Sequence, residues 1–149
     1  MKNLFALAAC AALFTGCDFI SGEDNGPPVT VSGIRLTNVP VDGFDTDGTT
    51  NDLVVEIQDA LGRSYFRSEE VPNVTSDTLE ISESFELSNS GRGLWIVLLD
   101  EDGAGSRPQT VAATQAFSSE ELSESDSSVV TLGSYDASMN LQAEIQLDR

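Results

Sequence analysis

The chain of 149 residues contains 25 Asp and Glu, 7 Lys and Arg and no His, so its formal net charge is −18 at pH 7. Without imidazole, the chain cannot build a Ser/His/Asp or Cys/His relay, nor a zinc or copper site with His ligands. The negative charge also excludes direct electrostatic binding to nucleic acid or to anionic lipid head groups. Paired carboxylates are the catalytic groups that remain, but so small a domain has little room for the required cleft, so we expect no enzyme.

The first segment of the chain has the features of an export signal. Lys2 is followed by an uninterrupted apolar run over residues 4–14. A helix that crosses a bilayer needs about 20 apolar residues, so this run is too short to span the membrane. The run ends in Thr15-Gly16-Cys17, which resembles the bacterial lipobox. We predict that residues 1–16 are removed and that Cys17 carries a covalent lipid. An ordinary secretory signal with an incidental Cys is the alternative.

The processed chain is more acidic than the precursor. Lys2 is the only Lys and leaves with the signal, so 25 acidic residues face six Arg and the net charge becomes −19. This composition resembles that of proteins from halophiles, in which dense carboxylates keep the surface hydrated while molar salt screens their repulsion. An ordinary acidic secreted protein is the other interpretation. Cys10 also leaves with the signal, so no disulfide is available to the mature protein.

Residues 17–28 follow as a lipidated Cys and a short flexible tether, because residues 18–28 are rich in Asp, Ser, Gly and Pro. From Val29 to the end of the chain, short runs of alternating apolar residues lie between Gly, Asn, Asp and Ser. This pattern predicts an all-β domain over residues 29–149, an antiparallel β-sandwich of about eight strands. A buried strand at residues 94–99 is expected to place Trp95 in the core. One capped helical turn is predicted at residues 118–123. The strand candidates are residues 29–31, 52–57, 64–67, 78–81, 85–87, 94–99, 110–115, 129–132 and 141–147.

Two loops of this domain concentrate Asp. The first covers residues 42–52 and the second residues 100–106, and both contain Gly. Calcium prefers six to eight oxygen ligands, which flexible loops of this composition supply. These loops therefore predict a calcium site, although solvated turn residues would give the same composition. The candidate ligands are Asp45, Asp47, Asp52, Asp100 and Asp102.

The segments around both loops resemble conserved-region-two (C-two) domains. The resemblance lies in residues 34–40, 51–57, 84–87 and 94–102. It implies an eight-stranded sandwich with calcium held at one end by Asp52, Asp100 and Asp102, with Asp45 or Asp47 completing the first loop. The Lys-rich strand through which that family binds anionic phospholipid is absent here, so this property is not expected.

Taken together, these features predict a lipoprotein of the cell envelope, anchored to the inner or the outer membrane through its lipid. The domain would act as a calcium-binding or interaction module that contacts another envelope component. The alternative is a structural or assembly lipoprotein without an ion site.

Overall fold

A computed structural model describes residues 26–41, 51–101 and 107–149. Within these ranges the chain forms nine strands and one short helix, arranged as two antiparallel sheets. The all-β sandwich expected from the sequence is confirmed, with nine strands where about eight were predicted. Among the described residues, no helix is long and apolar enough to cross a bilayer. The elements are β1 (Val29–Thr37), β2 (Leu53–Asp59), β3 (Ser64–Arg67), β4 (Thr78–Ile81), β5 (Phe85–Leu87), β6 (Leu94–Asp100), β7 (Gln109–Ala113), α1 (Ser119–Glu124), β8 (Val129–Leu132) and β9 (Gln142–Leu147).

The first sheet has the order β4-β1-β9-β8, and β5 also pairs with β1. β1 is much longer than the predicted segment 29–31. The prediction stopped early because the alternation of apolar residues changes phase within the strand. The register against β9 shifts between Val31 and Gly33, so that Val31 and Ile34 are both buried although they are three residues apart. Gly33 suits this shift because a Cβ there would lie only 3.0 Å from the carbonyl oxygen of Ile81. A β-bulge of this kind conceals a strand from a search for strict alternation.

The second sheet has the order β3-β2-β6-β7. Its two central strands pair over their whole length, from Leu53 opposite Asp100 to Asp59 opposite Leu94. The inner face of this sheet packs on the first sheet to form the core. Fully buried Leu and Ile side chains at these positions each contribute roughly 1.5–3 kcal/mol of burial free energy. The core residues of the four central strands include Val31, Ile34, Leu36, Leu53, Val55, Ile57, Ile96, Leu98, Ala143 and Ile145.

The two lateral edges of the sandwich are closed in different ways. On one edge the rings of Phe66 and Phe85 stack across the sheets, with centroids 3.8 Å apart. On the other edge the chain after β8 pairs with the chain after β7, and the Tyr135 N–H donates to the Ala113 carbonyl at 2.8 Å. This second contact fixes the backbone at Tyr135 beside the outer face of the second sheet.

Strand β6 is buried on both faces, as the sequence indicated, but the expected place of Trp95 is wrong. Trp95 is half-buried on the outer face of the second sheet, where it packs with Val54, Val97 and Leu99. Side chains alternate along a strand, so the neighbours Leu94 and Ile96 take the inward positions. The tryptophan therefore packs on a small cluster at the outer face and not in the core between the two sheets.

Helix α1 begins where the predicted capped turn begins. The Ser118 hydroxyl accepts from the Glu121 N–H at 3.1 Å, and the Glu121 carboxylate accepts from the Ser118 N–H at 2.8 Å. This reciprocal capping box satisfies two backbone N–H groups that the first turn leaves without partners. The helix packs against β1.

The sandwich has two distinct ends, which we name after residues that lie there. At the Val29 end, β1 begins beside the last residues of the chain, where the Asp148 N–H donates to the Thr30 carbonyl at 3.0 Å. At the Asp52 end, β1 has finished, and the Asn51 amide donates to the Pro40 carbonyl at 3.4 Å. With about 3.3 Å per strand residue, the nine residues of β1 separate the two ends by roughly 26 Å.

Candidate functional site

Two of the five predicted calcium ligands are adjacent at the Asp52 end. The Asp52 N–H donates to Asp100 Oδ1 at 3.0 Å, and the Glu101 N–H donates to the Asp52 carbonyl at 3.0 Å. Asp52 Oδ1 in turn accepts from the Asn73 N–H at 2.7 Å. The antiparallel register of β2 and β6 produces this arrangement, because one strand begins where the other ends. Asp45, Asp47 and Asp102 lie outside the described residues, and so does the lipidation candidate Cys17.

The two adjacent carboxylates do not make a calcium site by themselves. Each uses an oxygen to accept a backbone N–H, whereas calcium requires six to eight oxygen ligands. Within residues 26–41, 51–101 and 107–149, no group of three or more acidic or Cys side chains is placed to hold a metal ion. In this part of the chain, the Asp100 carboxylate binds the start of β2, and the Asp52 carboxylate binds the segment around Asn73. Calcium binding stays a prediction that depends on the three other aspartates.

A second site lies on the outer face of the second sheet. Here an open pocket of about 390 Å³ is bounded by the strands β2, β6 and β7, by the turn after β2 and by the loop after β8. Its aromatic walls are Trp95, which is half-buried, and Tyr135, which is 75% exposed. We call this feature the outer-face pocket. Its lining residues are Gln58, Asp59, Ala60, Gly62, Trp95, Val97, Ala113 and Tyr135.

The rim of the outer-face pocket is organised by Asp59, which ends β2 and is only 5% exposed. Its Oδ1 accepts the N–H groups of Leu61 at 2.9 Å and Arg63 at 3.1 Å, which closes the turn between β2 and β3. Its Oδ2 accepts the Arg63 guanidinium at 2.7 Å and the Arg92 guanidinium at 3.5 Å. Gly62 provides the left-handed residue of the turn, with φ of 73°. The carboxylate therefore holds the turn and two guanidinium groups in one arrangement.

This network also sets the charge state of Asp59. Burial alone would raise the pKa of the carboxyl, but hydrogen bonds from the Arg63 backbone and side chain and from the Leu61 backbone outweigh it and lower the pKa to about 2. The same contact raises the pKa of Arg63. Asp59 is thus ionised at neutral pH and saturated with donors, so it is suited to positioning its neighbours and not to accepting a proton from a substrate.

The outer face is bordered on its other side by a charged cluster. The Arg67 guanidinium on β3 binds the Glu56 carboxylate at 2.8 Å and also contacts the Glu101 carboxylate. Glu56 is only 8% exposed, and the Arg67 guanidinium neutralises its negative charge. Glu56 lies opposite Val97 in the register of β2 and β6, so this cluster borders the apolar side chains that pack with Trp95.

Sequence reasoning did not identify the outer-face pocket. Its residues come from three strands and a distant loop, and no local motif connects Gln58 and Trp95 with Tyr135. The Asp59 turn did offer a signal, because an Asp followed three residues later by Gly and then Arg is a typical turn composition. Comparison with known protein families and with characterised proteins finds no match for this chain.

Proposed function

We propose that the mature protein is a lipoprotein of the bacterial cell envelope whose β-sandwich is an interaction module. The observation that carries the module role is the outer-face pocket, in which a half-buried Trp95 and a 75% exposed Tyr135 bound an open cavity on the second sheet. Concave sites with apolar walls and a few polar groups are where proteins bind ligands most often. The anchoring role is supported by the apolar run that ends at Cys17.

In this proposal the lipid attaches the module by its Val29 end. Cys17 precedes the first residue of β1 by 12 positions, so the Val29 end is the nearer of the two ends to the membrane. The outer-face pocket is built from the last residues of β2, so it opens sideways near the anchored end. A partner in the envelope can reach it without the domain leaving the membrane.

Because the domain is strongly acidic, we infer that its faces do not bind the membrane and that attachment depends on the lipid. A mature chain with a net charge of −19 is repelled by anionic head groups, so the covalent lipid supplies the attachment. The faces of the sandwich then stay accessible to a partner. Nucleic acid is not a candidate partner for the same electrostatic reason.

Calcium binding at the Asp52 end is a second candidate function, favoured by the adjacency of Asp52 and Asp100. It would place the ion at the end of the domain that is farther from the lipid anchor. The C-two resemblance suggests the same two positions. A structural or assembly lipoprotein without an ion site is the alternative, and it would use broad contact surfaces instead of one pocket.

The experiment that tests the proposal combines fractionation with site-specific crosslinking in cells. The wild-type protein is expected in the membrane fraction with an acylated Cys17 at its N-terminus, and Cys17→Ser is expected to move it to the soluble fraction. A photoreactive phenylalanine at Tyr135 should yield a discrete crosslinked product. The same group at Val129, which is 43% exposed on the other sheet, should not.

The possible outcomes separate the hypotheses. Unchanged fractionation and mass in Cys17→Ser would refute the lipid anchor. Equal crosslinking at Tyr135 and Val129 would favour the assembly role with broad contacts, and absence of a product at Tyr135 would refute recognition through the outer-face pocket.

A further inference from the structure

We propose that the outer-face pocket binds a neutral saccharide, with one sugar ring held against Trp95 and Tyr135. This inference rests on the interaction role proposed above and gives it a ligand class. It is carried by the size of the pocket, the chemistry of its walls and the charges immediately behind them.

The size of the pocket fits a ligand of one or two rings. Its volume of about 390 Å³ lies at the small end of the range of roughly 300–1,000 Å³ that is typical of small-molecule sites. The pocket is also open along the sheet surface, so a longer chain can continue beyond it. An acyl chain, by contrast, requires an enclosed apolar cavity to be shielded from water.

The aromatic walls match the apolar face of a sugar ring. The faces of Trp and Tyr rings carry partial negative charge, and the C–H groups on one face of a pyranose carry partial positive charge. Among the described residues the one stacked ring pair is Phe66 with Phe85, so Trp95 and Tyr135 do not stack on each other. The exposure of Tyr135 is not a sign of a loose loop, since its N–H is bonded to the Ala113 carbonyl at 2.8 Å.

The polar groups of the pocket favour a neutral ligand with hydroxyl groups. Gln58 lies opposite Trp95 in the register of β2 and β6, and its amide can both donate and accept hydrogen bonds. No Arg, Lys or His is among the described residues that line the pocket, and the chain is strongly acidic, so a phosphate or carboxylate ligand is disfavoured.

A cationic ligand is disfavoured by the groups behind the wall. Aromatic side chains can also form cages for quaternary ammonium groups. At this site, however, the one lining carboxylate, Asp59, is already bound by the guanidinium groups of Arg63 and Arg92. The one carboxylate that a cation in the pocket could pair with is therefore already engaged in ion pairs.

The test uses the fluorescence of Trp95, the only tryptophan in the chain. Purified mature protein is titrated with the tetrasaccharide of N-acetylglucosamine and with maltotetraose as neutral probes. Tetragalacturonate serves as the anionic comparator and tetramethylammonium as the cationic one. A saturable change in emission is expected with at least one neutral probe and with neither comparator.

Three variants connect the signal to the pocket. Tyr135→Ala should weaken binding about fivefold or more, because a stacked aromatic contributes on the order of 1 kcal/mol. Gln58→Leu keeps the size of the side chain, removes the amide and should also weaken binding. Val129→Ala, on the other sheet, should bind like the wild type. Far-UV circular dichroism confirms that each variant is folded.

The proposal is overturned if neither neutral probe gives a saturable change, if tetramethylammonium or tetragalacturonate binds in their place, or if folded Tyr135→Ala binds as tightly as the wild type. Because the titration needs no membrane, failure of lipid anchoring would leave its result unaffected. A crosslink at Tyr135 in cells without saccharide binding in solution would keep the interaction role and reject the ligand class.

Discussion

Adjacent leucines on β6 allow a matched test of how the two faces of this strand are buried. Leu98 is 0% exposed and points into the core between the sheets, whereas Leu99 is 7% exposed and belongs to the smaller outer cluster. The substitutions Leu98→Ala and Leu99→Ala remove the same atoms from neighbouring positions on one strand. Any difference in their effect therefore reports the surroundings of each face and not the propensity of the residue.

The expected magnitudes follow from those surroundings. A Leu→Ala change in a core costs about 2–5 kcal/mol, and the cost rises with the cavity that stays open. Leu98 is enclosed by the central strands of both sheets, so we expect a loss of about 3–4 kcal/mol. Leu99 packs in a small cluster whose buried members among the described residues are Val54, Val97 and Leu99 itself. That cluster can relax toward solvent, so we expect a loss of about 1.5–2.5 kcal/mol.

Urea unfolding followed by circular dichroism measures both free energies, and thermal unfolding gives an independent check. At about 3–4 °C per kcal/mol for a domain of this size, Leu98→Ala should lower Tm by roughly 9–16 °C and Leu99→Ala by roughly 5–10 °C. Equal losses, or a larger loss for Leu99→Ala, would refute the assignment of the main core to the face that contains Leu98.

Three further predictions concern charge. Asp59 has a folded-state pKa of about 2 against an ordinary 3.8, so its contribution to stability is present above about pH 4 and is lost as the pH falls toward 2. Asp59→Asn should therefore weaken the fall of Tm over this interval. The Tm of the mature protein should rise from millimolar to molar KCl, because salt screens repulsion among the carboxylates of a chain with net charge −19. At fixed ionic strength, 10 mM calcium, about ten times the weak end of the affinity range of extracellular modules, should raise Tm more than magnesium does. Asp45→Asn combined with Asp102→Asn should remove that difference while leaving the hydrogen bonds of Asp52 and Asp100 intact.

Each of these has a clear contrary result. The same acid dependence in Asp59→Asn and wild type would show that the network around this carboxylate does not stabilise the fold. A Tm that is flat or falls with KCl would reject adaptation to salt. Equal responses to calcium and magnesium, or an unchanged calcium response in the double variant, would identify the aspartates as solvated turn residues.

Local signals in the sequence were sufficient for most of the strands and for the helix cap. The predicted segments 64–67, 78–81, 85–87 and 129–132 coincide with β3, β4, β5 and β8. Turn residues on both sides of these short segments mark where each strand begins and ends. The Ser118 cap was equally local, since both partners of the capping box lie within one helical turn. The adjacency of Asp52 and Asp100 was implied only by the C-two resemblance, and the antiparallel pairing of β2 and β6 accounts for it.

The tertiary structure decided what depends on register and on distant segments. The bulge at Gly33 reversed the phase of β1, so its second half could not be recognised by alternation alone. The composition of the 94–99 strand predicted burial on both faces but not which face meets the other sheet, and pairing with β2 placed Trp95 outside. The pocket with Gln58 and Tyr135 exists only because a loop 77 residues further along the chain pairs with the end of β7. Hydrophobic pattern is a property of neighbours in sequence, whereas the outer-face pocket is a property of neighbours in space.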